Sequence, residues 1–125
     1  MAKKGTKKKA AKPATKNTII TFGCVSKTCV ADTGPKTKVG DTGSKVTLKA
    51  NSETVTIQFF DPNSGAPLRP PFTQTTGTGP IVIHKSGPPP RFTVRDDALH
   101  HNRYKATCEK PDCVGLHEPP EMIVP

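Results

Sequence analysis

The feature that most constrains the fold is a series of short runs in which polar and apolar residues alternate. Residues 45–49 and 54–60 alternate at a period of two, as a strand with one buried face does. Residues 18–22 are β-branched and aromatic. Further strand-forming runs follow at 80–84, 91–94, 104–108 and 122–124. Turn residues separate them, and 14 prolines disfavour long helices.

This spacing predicts an all-β fold with one domain over residues 18–125. About seven to eight short strands would form a single β-sandwich with antiparallel or mixed sheets, similar to an immunoglobulin-like domain. Residues 50–53 look like a hairpin loop between two consecutive strands. No helical period longer than a turn or two is present.

A lysine-rich segment precedes this domain and predicts a disordered tail over residues 1–17. It lacks the apolar surface that would offset the entropy of ordering. It holds seven of the 19 Lys and Arg residues and no acid, so the rest of the chain has 12 basic against 10 acidic residues. We expect it to contact nucleic acid or another polyanion without sequence specificity. The contacts would be Lys3, Lys4, Lys7, Lys8, Lys9, Lys12 and Lys16.

The same N-terminal region bears on localisation. The basic start is not followed by the apolar run of a secretory signal, and no stretch is long enough to span a membrane. These observations predict a cytoplasmic protein. Thiols or metal ligands are then expected more often than disulfides.

Several motifs between Val39 and Cys108 resemble those of cupredoxin-like β-sandwiches. They are 39–41, 46–48, 54–60 and 91–94, followed by the strand Tyr104-Lys105-Ala106-Thr107-Cys108. Residues 120–124 are similar to the closing strand of degenerate members of that family. The resemblance implies a sandwich that has lost part of its copper site.

The final loop contains Cys113-x3-His117-x4-Met122, a spacing similar to the Cys…His…Met spacing of copper ligands in that family. The resemblance implies one thiolate, two imidazoles and a weak axial methionine. The family places its second histidine on an upstream strand, where residues 55–59 contain none. We therefore expect a degenerate member without the full ligand set.

The four cysteines leave several interpretations open. Cys24-x4-Cys29 and Cys108-x4-Cys113 share one spacing, which could give a structural zinc site, with His117 as a possible substitute ligand. Alternatively, each pair could form a disulfide, or a bridge could link the first pair to the second if their Cα atoms lie within about 7 Å. Free buried thiols are also common. The cofactor expectation is therefore none or zinc.

No enzyme motif is evident. The segment Gly40-Asp41-Thr42-Gly43-Ser44-Lys45 lacks the spacing of a phosphate-binding loop, and no nucleophile turn is present. The sequence favours a non-enzymatic binding or interaction module with a basic arm. The alternative is a metal-binding β-sandwich that uses the two cysteine pairs.

Overall fold

A computed structural model describes residues 16–51, 53–110, 112–115 and 118–125 of the chain. Within these residues nine strands form and no helix does. The strands are β1 (Asn17–Val25), β2 (Thr28–Ala31), β3 (Lys36–Lys38), β4 (Lys45–Ala50), β5 (Val55–Phe59), β6 (Ile81–Ile83), β7 (Arg91–Thr93), β8 (His101–Cys108) and β9 (Glu121–Ile123). The predicted tail, apart from Lys16 and Asn17, lies outside the described residues.

The strands divide into two mixed sheets. The four-stranded sheet has the order β2-β1-β4-β7, and the five-stranded sheet has the order β3-β9-β8-β5-β6. One parallel pair occurs in each, β1 with β4 and β3 with β9, and the other pairs are antiparallel. The predicted all-β sandwich-like fold is confirmed. Among the described residues, no helix is long and apolar enough to cross a membrane.

The core lies between the two sheets and follows from the alternation in the strands. In β4 and β5 every second residue is buried. The inward side chains include Ile20, Phe22, Val46 and Leu48 from one sheet and Val55, Ile57, Phe59 and Tyr104 from the other. The ring of Phe22 meets that of Tyr104 edge-on, with centroids 6.0 Å apart, so aromatic packing joins the sheets directly.

The connection between β4 and β5 differs from the prediction. We expected residues 50–53 to close a hairpin, but β4 belongs to the four-stranded sheet and β5 to the five-stranded sheet. The chain therefore crosses from one sheet to the other. Alternation specifies which face of each strand is buried, but it does not specify the neighbouring strand.

Candidate functional site

The four cysteines converge at one end of the core. Cys24 in β1 lies directly opposite Cys29 in β2, across a two-residue turn. The turn residues Ser26 and Lys27 have positive φ angles of 52° and 65°, as a type I′ hairpin requires. Cys24 follows Ile20 and Phe22 at the two-residue spacing of a strand, so its side chain points to the same inward face. Both sulfur atoms therefore leave the hairpin on its inward face.

The second cysteine pair approaches from the other sheet. Cys108 ends β8 on the same face as the buried residues Tyr104 and Ala106. The following loop then runs beside β2, where the Cys29 amide donates to the Val114 carbonyl at 2.8 Å. The Val114 amide donates in turn to the Lys27 carbonyl at 2.9 Å. These bonds place Cys113 against the β1–β2 hairpin.

Cys24 and Cys113 form a disulfide with their Cα atoms 6.0 Å apart. This pairing is the bridge from the first pair to the second that the sequence analysis left open. Cys29 and Cys108 remain as thiols; Cys29 is buried and Cys108 is partly exposed. We call these four residues the cysteine cluster.

The environment of Cys29 keeps its thiol protonated. Burial is the main cause that raises the pKa of Cys29 far above its usual range, and a side-chain hydrogen bond and charge interaction with Cys108 add to it. Cys29 lies in β2 and Cys108 at the end of β8, and these two strands contact each other across the core. Burial is likewise the main cause that raises the pKa of the Tyr104 phenol.

Metal binding at the predicted ligands meets specific chemical obstacles. A sulfur in the Cys24–Cys113 disulfide is not a thiolate and cannot bind zinc as one. The part of the chain that the structure describes contains no group of three or more His, Cys, Asp or Glu residues arranged to hold a metal ion. His117 lies outside the described residues, so the zinc hypothesis with His117 stays a prediction. Met122, the axial copper candidate, is a fully buried core residue.

The root of the lysine arm is a second candidate region. We use the name lysine arm for residues 1–16, of which the structure describes Lys16. The Lys16 amide donates to the hydroxyl of Ser44 at 3.0 Å, and the Lys45 amide donates to the Lys16 carbonyl at 2.9 Å. Lys3, Lys4, Lys7, Lys8, Lys9 and Lys12 lie outside the described residues.

Gly40 makes this anchorage possible. A Cβ at position 40 would lie 2.0 Å from the Ser44 hydroxyl and 2.9 Å from Cγ of Lys16. Ser44 is completely buried. The glycine therefore leaves the space in which Ser44 holds the backbone of Lys16.

Basic side chains surround this anchorage on the outer surface of the four-stranded sheet. The Lys45 ammonium group donates to Thr93 Oγ1 at 2.7 Å, and the Arg91 guanidinium donates to Asn17 Oδ1 at 3.3 Å. Val46, Leu48 and Phe92 face the core. Lys45, Lys49 and Arg91 therefore face outward, and we call these three residues the cationic face.

Sequence reasoning identified the arm but missed the cationic face. Lys45 and Lys49 occupy the polar positions of an alternating strand, which are ordinarily solvent-facing with no further role. Their proximity to Arg91 depends on the pairing of β4 with β7. Comparisons with models of known protein families, with curated proteins and with solved structures found no match, so the resemblance to cupredoxins remains a prediction from motifs.

Proposed function

We propose that the protein is a non-enzymatic binding module that holds a polyanion, such as nucleic acid, through the lysine arm and the cationic face together. The observation that carries this proposal is the position of the arm's root. Lys16 is hydrogen-bonded through its backbone to Ser44 and Lys45. A polyanion bound along the arm is thereby brought to the surface that holds Lys45 and Arg91.

The charge of the four-stranded sheet supports this role. Its strands β1, β2, β4 and β7 contain Lys45, Lys49 and Arg91 but no Asp or Glu. The five-stranded sheet carries basic residues as well, but there Glu121 forms an ion pair with Arg103 and a hydrogen bond with His101. The four-stranded sheet therefore has no carboxylate within its strands to repel an anion, and it is the sheet that adjoins the root of the arm.

The dimensions of the cationic face suit a backbone of repeated charges. Lys45 and Lys49 are four positions apart on one strand, which is about 13 Å at the usual rise. Arg91 lies opposite Thr47, midway between the two lysines, on an adjacent strand about 5 Å from theirs. Duplex DNA carries one charge for each ~1.7 Å of its axis, so this patch spans several phosphates.

The contacts would recognise charge and not base sequence. Lysine binds phosphate as a point charge, and base stacking requires accessible aromatic rings. Phe22, Phe59, Phe72 and Tyr104 are buried in the core. Affinity is therefore expected to depend strongly on salt and weakly on nucleotide sequence.

The disulfide also bears on where such binding takes place. Disulfides persist in oxidising environments and are rare in a reducing cytosol. The Cys24–Cys113 bridge therefore favours an oxidising setting over the cytoplasmic location that the sequence analysis predicts. Heparin belongs in the test beside DNA, because sulfated polysaccharides are polyanions that such settings contain.

The experiment compares four proteins for binding to a random-sequence DNA duplex and to heparin at two salt concentrations. They are the full chain, a deletion of residues 2–15, a Lys45→Gln/Lys49→Gln/Arg91→Gln variant, and a control with Lys38→Gln/Lys85→Gln/Lys110→Gln. The control removes the same charge from exposed positions elsewhere. The deletion should weaken binding most, the face variant next, and the control least. Equal affinity of the deletion and the full chain would refute the proposal.

A further inference from the structure

The cysteine cluster holds two thiols that binding at the arm does not use. In an antiparallel pair, directly opposed residues project from the same face, so the side chains of Cys24 and Cys29 enter the core side by side. Cys24 already bonds to Cys113. Its neighbour Cys29 is buried in β2, and β2 contacts β8, the strand of the other sheet that ends at Cys108.

The two pairs contribute their sulfur atoms in opposite order along the chain. Each Cys-x4-Cys segment supplies one sulfur to the existing disulfide and one to the thiol pair. The Cys29 amide is bonded to the carbonyl of Val114, the residue after Cys113, which fixes the spacing between the segments. Strand β2 lies against strand β8 in the folded chain. Both backbones are therefore held in place on either side of the two thiols.

We propose that Cys29 and Cys108 are the site of a second disulfide, which would join the four-stranded sheet directly to the five-stranded sheet. The first disulfide links β1 to the loop after β8, whereas the second would link two strands. Together they would hold the β1–β2 hairpin to β8 and to the loop that follows it. The inference is independent of the function proposed for the arm.

A low-molecular-weight disulfide, such as oxidised glutathione, is the co-reactant. The thiolate of Cys108 attacks one sulfur of the reagent; the Cys108–glutathione bond forms, and one glutathione thiolate leaves. Cys29 then loses its proton and attacks the Cys108 sulfur, which releases the second glutathione thiol. Two protons and two electrons pass from the cysteines to the reagent, which becomes two thiols.

Accessibility sets this order of events. Cys29 is only 1% exposed, whereas Cys108 is partly exposed at the end of its strand. The larger exposed fraction of Cys108 therefore lets the reagent reach it first. A pocket of about 290 Å³ borders the buried Cys29, with Lys105, Thr107 and Pro119 in its described lining. Burial favours the protonated form of Cys29, so its attack on the mixed disulfide is the slower of the two steps.

The test uses the full chain, purified without added metal, before and after incubation with oxidised glutathione. Thiols are counted in denaturant. The linked peptides are then identified by mass spectrometry without reduction. Cleavage after Lys27 separates Cys24 from Cys29, and cleavage before Asp112 separates Cys108 from Cys113. Each possible pairing therefore gives a distinct linked peptide.

We expect the thiol count to fall from two to none, a Cys29–Cys108 peptide to appear, and the Tm to rise by on the order of 10 °C. A Cys29→Ala/Cys108→Ala variant should keep the Cys24–Cys113 peptide and show no change in Tm with glutathione. If that variant does not fold, the thiol count and peptides of the unsubstituted chain still decide. Two persistent thiols, a stable glutathione adduct at Cys108, or four thiols with one bound zinc would each overturn the proposal.

Discussion

Cys24 and Cys113 are 89 positions apart in the chain, yet their Cα atoms lie 6.0 Å apart and their side chains form a disulfide. Cys24 belongs to the first strand, β1, and Cys113 lies in the loop before the last strand, β9. The bond therefore encloses most of the folded chain in one covalent loop. In a domain whose sheets pair distant segments, such a cross-link removes many open conformations from the unfolded chain.

The first prediction concerns the contribution of this bond to stability. A Cys24→Ser/Cys113→Ser variant should lose about 2–5 kcal/mol of the free energy of unfolding, because its unfolded chain is no longer constrained. Urea unfolding followed by circular dichroism measures the loss. Before any treatment with oxidised glutathione, the unsubstituted chain under reductant should fall to the stability of the variant, and the variant itself should not respond to reductant. A loss below about 1 kcal/mol would contradict the predicted role.

The second prediction concerns Tyr104, the only tyrosine in the chain. Its ring is fully buried, and its hydroxyl has no hydrogen-bond partner among the described residues. Burial raises the pKa of Tyr104 above its usual value, so the phenol should stay protonated in the native protein well above about pH 10. The chain contains no tryptophan, so the ultraviolet absorbance of tyrosinate reports this residue alone.

The sign of the pH effect follows from proton counts. Above about pH 10 the unfolded chain releases the phenolic proton and the native protein does not, so the unfolded state gains stability. The free energy of unfolding should then fall by up to ~1.4 kcal/mol per pH unit from this residue. Tyr104→Phe should remove that part of the slope and, at neutral pH, change stability by less than about 1 kcal/mol, because no hydrogen bond is lost. Normal titration of tyrosinate in folded protein would show the prediction to be wrong.

The strands that the sequence predicts are those whose own residues show the composition and alternation typical of a strand. The seven runs expected as strands all form, because each contains β-branched or aromatic residues at alternating positions. Strand β2 was missed because its hairpin turn uses Ser26 and Lys27, where Asn and Gly are the usual residues. Strand β3 was missed because Thr37 is its only buried residue.

The candidate site was less predictable, for a different reason. The spacing of the cysteines limits which pairs are possible, but their partners depend on which strands face each other across the core. Cys24 pairs with Cys113 because a short parallel bridge joins Thr28 to Val114. Similarly, the cationic face requires β4 and β7 to be neighbours. Neither contact has a local signal in the sequence.

The third prediction tests the anchorage of the arm. In Gly40→Ala the new methyl group would lie within 2.5 Å of both the hydroxyl and the Cβ of Ser44, so the 40–44 loop must shift. We expect a loss of about 1–3 kcal/mol, as is usual for overpacking at a buried site. Gly77→Ala is the matched control, because nothing lies within 4 Å of the position that its new methyl group would take, and its φ is not positive. Equal stability of the two variants would argue against a tight anchorage.

The fourth prediction concerns the salt dependence of binding to DNA. Each phosphate contact contributes about 0.9 to the slope of log K against log salt concentration for duplex DNA. If Lys45, Lys49 and Arg91 each contact a phosphate, their replacement by Gln should lower the magnitude of that slope by about 2–3. The Lys38→Gln/Lys85→Gln/Lys110→Gln control should keep the slope within about 1 of the original, because its charges lie off the cationic face. Fluorescence anisotropy of a labelled duplex, titrated at several salt concentrations, measures each slope. An equal reduction in both variants would show that net charge alone governs binding and that the surface around Lys16 has no special part in it.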